Sequence, residues 1–163
     1  MEKIKQKLIE KLKENYGMSI ESVVEFQGTL TITVAKEKIK EICTFLRGDF
    51  DLYFDMCKDV IGVDYQRADF RFELVYNLYS IKNNFRFLLK TKLQETDLNI
   101  PSVVDIWPGA NWPEREVYDF FGIIFDGHPD LRRIYMPEDF EYFPLRKEFP
   151  LMGIPGSIPL PRK

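Results

Sequence analysis

Proline is spread too unevenly for this chain to hold one kind of structure throughout: eight of its ten prolines lie between positions 113 and 161. A proline ring removes a backbone donor and clashes with the preceding helical turn, and within sheets it is tolerated only at edges and bulges. Pro144, Pro150, Pro155, Pro159 and Pro161 therefore exclude a helix or a central strand from the last twenty residues. Yet the final third is not composed like a disordered tail, which is poor in large apolar side chains. It carries Phe125, Leu131, Ile134, Tyr135, Met136, Phe140, Tyr142, Phe143, Leu145 and Phe149. An aperiodic, proline-stiffened, aromatic-rich stretch is expected to lie extended on a surface. Its apolar content exceeds what its own domain needs, so the expectation is an arm over 127–163 that docks on a partner polypeptide.

The first hundred residues read differently. Ile4, Leu8, Ile9, Leu12 and Tyr16 recur at helical spacing, and Gly17 is a natural stop. Residues 20–26 and 29–34 form a predicted hairpin around Gln27-Gly28, with Leu30, Ile32 and Val34 alternating against threonines. A second amphipathic helix places Ala35, Ile39, Ile42, Cys43 and Leu46 on one face and closes at Gly48. Residues 52–64 contain a strand with a break near Gly62. The clearest period-two signal is Phe70, Phe72, Leu74, Tyr76 and Leu78, opposed by Arg71, Glu73 and Asn77. Asn83-Asn84 turns the chain into Phe85, Phe87 and Leu89, which pair back. The sum, α-β-β-α-β-β-β, is an α+β two-layer domain over 1–100, with a mixed or antiparallel sheet and helices on one face. Residues 101–126 supply a connecting strand and a short helix packed on that core.

Composition narrows the function classes. The net charge is −3, from 26 acidic and 23 basic residues, whereas a nucleic-acid binder shows a basic excess or stripe. The lysines between Lys3 and Lys13 alternate with Glu2, Glu10 and Glu14 and read as a solvated helix face. Two cysteines, Cys43 and Cys57, and one histidine, His128, form no metal or iron–sulfur pattern. Both cysteines sit in apolar patterns, where a free buried thiol is commoner than a disulfide. No apolar run approaches the roughly 20 residues that span a bilayer, so any membrane association is expected through another polypeptide.

The most informative stretch is Asn111-Trp-Pro-Glu-Arg-Glu-Val-Tyr-Asp-Phe-Phe-Gly122. Asn111 reads as a helix cap, Pro113 as a first-turn residue and Glu114 as the partner of a capping box. Gly122 fits the left-handed residue that ends a helix. Arg115 and Asp119, four apart, are placed to pair. Glu114, Glu116 and Asp119 raise the possibility of acid–base or metal chemistry, but they do not share a helix face, and no nucleophile or second ligand cluster accompanies them.

Blocks beyond this helix carry a resemblance. Glu114-Arg-Glu-Val-Tyr-Asp-Phe-Phe-Gly122, then Gly127-His-Pro-Asp-Leu-Arg-Arg-Ile134, Met136-Pro-Glu-Asp139 and Pro144-Leu-Arg-Lys147 resemble the C-subunit family of NADH:quinone oxidoreductase, respiratory complex I. That family also includes the J subunit of the photosynthetic NDH complex. Ile100 to Pro108 and Val60 to Tyr65 fit as well, so the likeness covers about 60–150 in several ordered blocks. Glu148-Phe149 departs from a pair that is often Asp-Tyr. Ending at 163 and opening without a presequence, the chain is expected to be an unfused, prokaryotic or plastid form.

The resemblance implies a scaffold with no active site, cofactor or metal of its own. It sits in the peripheral arm beside the D subunit, on the cytoplasmic side of the membrane. NADH, FMN, iron–sulfur clusters and quinone belong to neighbouring chains. On that reading Trp112, Glu114, Arg115, Glu116, Asp119, His128, Arg132, Arg133, Pro144, Leu145, Arg146 and Lys147 are partner-interface candidates, and Asn111 and Gly122 are structural. The four charged helix residues either hold the arm's cations or pair with the D subunit. The plain alternative is that all these charges pair within the chain or face water. His128 sits in a turn and is expected to brace the arm's departure; a proton relay is the other possibility. Trp107 and Trp112 read as packed anchors. Three competing functions remain: the equivalent part of an energy-converting hydrogenase or other-donor complex, an RNA-binding module using sheet aromatics, and a small hydrolase.

Overall fold

The computed structural model describes residues 2–65, 69–151 and 153. Helix α1 (Glu2–Tyr16) leads through a 3-10 turn into the hairpin β1 (Ile20–Phe26) and β2 (Thr29–Val34). Positive φ at Gln27 and Gly28 makes the tight turn between them. Helix α2 (Ile39–Gly48) precedes β3 (Met56–Asp64), β4 (Phe72–Ser80) and β5 (Phe85–Leu93). A short strand β6 (Asn99–Pro101), helix α3 (Asn111–Phe121) and strand β7 (Ile124–Asp126) complete the elements.

The main sheet runs β1-β2-β5-β4-β3, with β2 parallel to β5 and every other pair antiparallel. The expected α+β class with a mixed sheet is what forms. Leu8 and Leu12 of α1, and Ile39, Ile42, Cys43 and Leu46 of α2, are buried in one core with the inward side chains of the sheet. Phe72, Tyr76 and Phe87 lie wholly inside that core, with Phe54 edge-on to Phe87 at 4.8 Å between centroids. Strand β4 is buried on its other face too, at Glu73 and Val75, and there Lys90 reaches across from β5 to donate to Glu73 Oε1 at 2.7 Å.

Three expectations change. Strand β3 runs through Gly62 unbroken; its irregularity is a register shift between Cys57 and Asp59. Glycine is required at 62 for another reason: a Cβ there would stand 2.7 Å from the Phe121 ring, so its absence lets α3 lie against the strand. Asn111 is not a cap. A 3-10 turn, Pro108–Ala110, runs straight into α3, and Asn111 already has helical angles. The turn supplies the entry that a side-chain cap would otherwise provide. The single expected connecting strand is in fact a parallel pair, β6 with β7, bracketing α3.

Candidate partner-docking site

Helix α3 is pinned at both ends by carboxylates sealed from water. Near its start, Glu114 accepts from the Ser102 hydroxyl (2.6 Å) and the Val103 N–H (2.8 Å). It is fully buried. Burial raises its carboxyl to about 7 against the opposing pull of those two donors. It thus holds the segment after β6, not the helix start, and the capping box does not form.

At the other end Asp119, also fully buried, is the knot of the site. Its Oδ2 accepts three consecutive backbone N–H groups, from Ile134 (3.0 Å), Tyr135 (2.7 Å) and Met136 (3.1 Å). Its Oδ1 accepts from Arg133 Nη1 at 2.8 Å, and Arg133 also donates to the Asp119 and Tyr142 carbonyls. Burial pushes this carboxyl up, but the Tyr135 N–H, the Arg133 guanidinium and the other N–H donors outweigh it and leave it below the usual range. Asp119 thus holds the arm's cation, one of the two roles expected of it.

A second knot ties down residues 147–148 of the arm, whose expected last stretch, 154–163, lies outside the described residues. Asp64, at the end of β3, accepts from Arg71 Nη2 (3.2 Å) and from the Lys147 N–H (2.9 Å). Arg71 also pairs with Glu95 and with Glu148 of the arm. Between the two knots Gly122 closes α3 in the left-handed conformation, φ 72°. The arm packs directly over it, with Phe143 and the Arg146 guanidinium within 3 Å of where a Cβ would stand. Arg146 Nε donates to the Phe121 carbonyl at 2.7 Å, and its guanidinium lies over the Phe143 ring.

The remaining candidates fall around this framework. His128 Nδ1 accepts from the Asp130 N–H (3.0 Å), so Nε2 carries the proton and donates to the Asn111 carbonyl (3.1 Å). The ring ties the arm's first turn to the start of α3, which is how Asn111 takes part. The predicted Arg115–Asp119 pair does not form, because Asp119 turns to Arg133. Arg115 is buried, donates to the Arg132 carbonyl (3.1 Å) and stands 3.7 Å from Asp130. Trp107 is the expected packed anchor, donating to the Phe54 carbonyl at 2.8 Å. Trp112 is not: it is 63% exposed with Arg115 stacked over it. Trp112, Glu116, Arg132, Leu145 and Lys147 face outward, Arg133, Pro144 and Arg146 are half-buried, and Glu114, Arg115 and Asp119 turn inward. Sequence reasoning passed over Asp64 and Ser102. The visible signal for Asp64 was its place on the core-facing side of β3, in step with Val60 and Gly62.

The competing chemistries find little here. The helix acids do not converge: Glu114 and Asp119 belong to separate networks, and Glu116 is exposed on the surface. The sheet aromatics Phe72, Tyr76 and Phe87 are buried beneath the helices, out of reach of a base. Burial raises both thiols, Cys57 to about 12, as befits unreactive cysteines. Among the described residues no group of three or more His, Cys, Asp or Glu is placed to hold a metal ion, and no helix is long and apolar enough to cross a membrane.

Residues 32–155 match the family described as respiratory-chain NADH dehydrogenase, 30 Kd subunit. The C subunit of NADH-quinone oxidoreductase from Geobacter sulfurreducens is 49% identical over 144 residues, 88% of each chain. The chain belongs to the C-subunit family of NADH-quinone oxidoreductase. The Geobacter metallireducens member is 47% identical over 91% of each chain. Among solved structures, a trypsin-resistant fragment (1–134) of Nqo5 superposes with a TM-score of 0.67 at 32% identity, covering 76% of this chain and 99% of the fragment. A chain of the membrane-bound sulfane sulfur reductase, an archaeal respiratory membrane complex, superposes with a TM-score of 0.76 at 25% identity, covering 90% of this chain and 86% of that one. Membership makes this chain part of an oxidoreductase complex, and the Asp119–Arg133 knot, with Asp64 and Lys147 of the second, lies in the blocks that carried the resemblance.

Proposed function

We propose that this chain is a non-catalytic scaffold of the peripheral arm of NADH-quinone oxidoreductase. It docks against the D subunit on the cytoplasmic side of the membrane, while neighbouring polypeptides hold the flavin, the iron–sulfur clusters and the quinone site. The observation that carries the reading is the state of the arm. Two buried carboxylates clamp 133–147 to the body of the protein, yet Tyr135, Tyr142 and Leu145 stay exposed along it, as does Leu151 beyond it. A segment held in one shape while Tyr135, Tyr142 and Leu145 keep much of their surface in water is pre-organised for a partner, because the entropy of ordering it has already been spent in the free chain. Trp112, Glu116, Arg132 and Lys147 extend that surface.

Affinity purification of the tagged chain from detergent-extracted membranes tests this. Recovery of the D subunit within a complex that reduces quinone with NADH is the expected result. Recovery of other polypeptides without it, or of the chain alone, would refute the reading. The likeness to the sulfane sulfur reductase complex favours a second reading, the equivalent position in a complex with another redox partner. A recovered complex inert to NADH would decide for that one.

A further inference from the structure

Strand β3 is an edge of the main sheet, and beside it runs a groove that neither knot fills. The groove has a volume of about 290 Å³ and lies between Asp59–Gly62 on one side and Glu116, Val117, Phe120, Phe121 and Leu145 on the other. Its floor is apolar, because Gly62 and Phe121 meet there without an intervening Cβ. Its rim is acidic. Among the described residues neither Asp59 nor Glu116 is in an ion pair, whereas Asp119 and Asp130, on and beside the same helix, each have an arginine. At this size it sits at the lower limit of small-molecule sites, roughly 300–1,000 Å³, and it is open along its length. It suits part of a polypeptide better than a cofactor.

We propose that this groove receives an extended segment of a neighbouring polypeptide of the complex that carries a large apolar side chain beside a lysine or arginine. The apolar side chain would rest on Val117, Phe120 and Leu145, and the cation would answer Glu116 and Asp59. The proposal deepens the docking reading above and rests on it. Main-chain pairing to β3 contributes little. The register shift at Cys57 and Asp59 distorts the edge, and the Asp59 carboxylate already accepts the Val60 N–H at 2.9 Å. Both devices discourage strand addition, so recognition is by side chains and charge.

The test uses the full chain in its complex. A photo-reactive benzoylphenylalanine is placed at Leu145, whose side chain is 53% exposed and whose N–H bond to the Phe120 carbonyl survives the change. The expected cross-linked peptide belongs to another polypeptide and carries Lys or Arg within a few residues of the adduct. An adduct to a second copy of this chain, to a segment without a base, or none at all overturns the proposal. In parallel, Glu116→Lys should lower recovery of the cross-linked neighbour several-fold, with Glu116→Gln between it and the native chain and Glu138→Lys, outside the groove, unchanged. Equal recovery with Glu116→Lys and with the native chain overturns the groove and leaves the scaffold reading standing. Failure of the native chain to bring down any complex overturns both.

Discussion

Glu114 and Asp119 share one helix and are both sealed from water, yet pH acts on them in opposite senses. Burial lifts Glu114 to about 7, above its unfolded value near 4.5, so the folded chain binds this proton more tightly. Its contribution to stability is full below about pH 4.5, falls as pH rises to 7 and is flat beyond. At about 1.4 kcal/mol per pH unit of difference, ionisation costs the fold on the order of 3 kcal/mol at pH 8. Glu114→Gln keeps an acceptor for Val103 and a polar partner for Ser102 without the charge. It should raise the melting temperature by several degrees at pH 8 and by much less at pH 5; equal shifts at both would show that Glu114 ionises freely. Asp119 is depressed instead, so its contribution is present above pH 4 and is lost as pH falls through its folded value. Asp119→Asn strips the Arg133 guanidinium of its counter-charge in a dry site, a loss of roughly 3–5 kcal/mol, visible in urea unfolding at pH 7 and shrinking in acid. Neither role was legible in the sequence. Spacing placed the acids on a helix, but which of them burial would seal depends on segments 11 to 17 residues away in sequence.

Elements with a strong period were legible, and those defined by neighbours were not. The alternation through Phe72 and Tyr76 and the apolar face of α2 gave the sheet and its cover directly, because burial and side-chain direction share one period. The entry to α3 was misread because an Asn at a helix start resembles a cap, and only the backbone angles reveal the 3-10 turn ahead of it. The exit was read correctly, since φ above zero is nearly reserved for glycine. The structure adds a second constraint there: a Cβ on Gly122 would stand 2.6 Å from Phe143. Gly122→Ala therefore combines backbone strain with displacement of the arm, and should cost more than the roughly 1 kcal/mol of an open left-handed position. Gly122→Val should cost more again. Urea midpoints measure both, and a Gly122→Ala midpoint equal to the native one would mean that Phe143 does not rest on the helix end.

At the scale of the whole molecule the arm is neither a free tail nor part of the core, and that decides how its purpose can be tested. Because the helices and strands expected from the sequence precede it, cutting after Asp126 is expected to leave a folded domain that has lost its partner. The structure shows that this cut also removes all four donors from a buried Asp119 and the Lys147 N–H from Asp64. It uncovers Gly122 and takes the Arg146 donor from the Phe121 carbonyl as well. Such a truncation should lower stability by several kcal/mol, so a lost partner would not distinguish a missing interface from a damaged fold. The discriminating variant leaves the knots alone and changes only the outward face: Tyr142→Ser with Leu145→Ser and Leu151→Ser. Leu145 and Leu151 are mostly in water, and surface changes of this kind shift stability by about 0.5 kcal/mol or less apiece; Tyr142 is 47% exposed with its ring edge-on to Phe140 and Phe149, so its change costs somewhat more. Binding responds differently, because apolar anchors buried against a partner carry most of the affinity. The triple variant should thus melt within a few degrees of the native chain while recovering far less of the complex. If it melts normally and recovers the complex in full, the outward apolar face is not what a partner in the complex covers, and the clamps serve only to stiffen the domain.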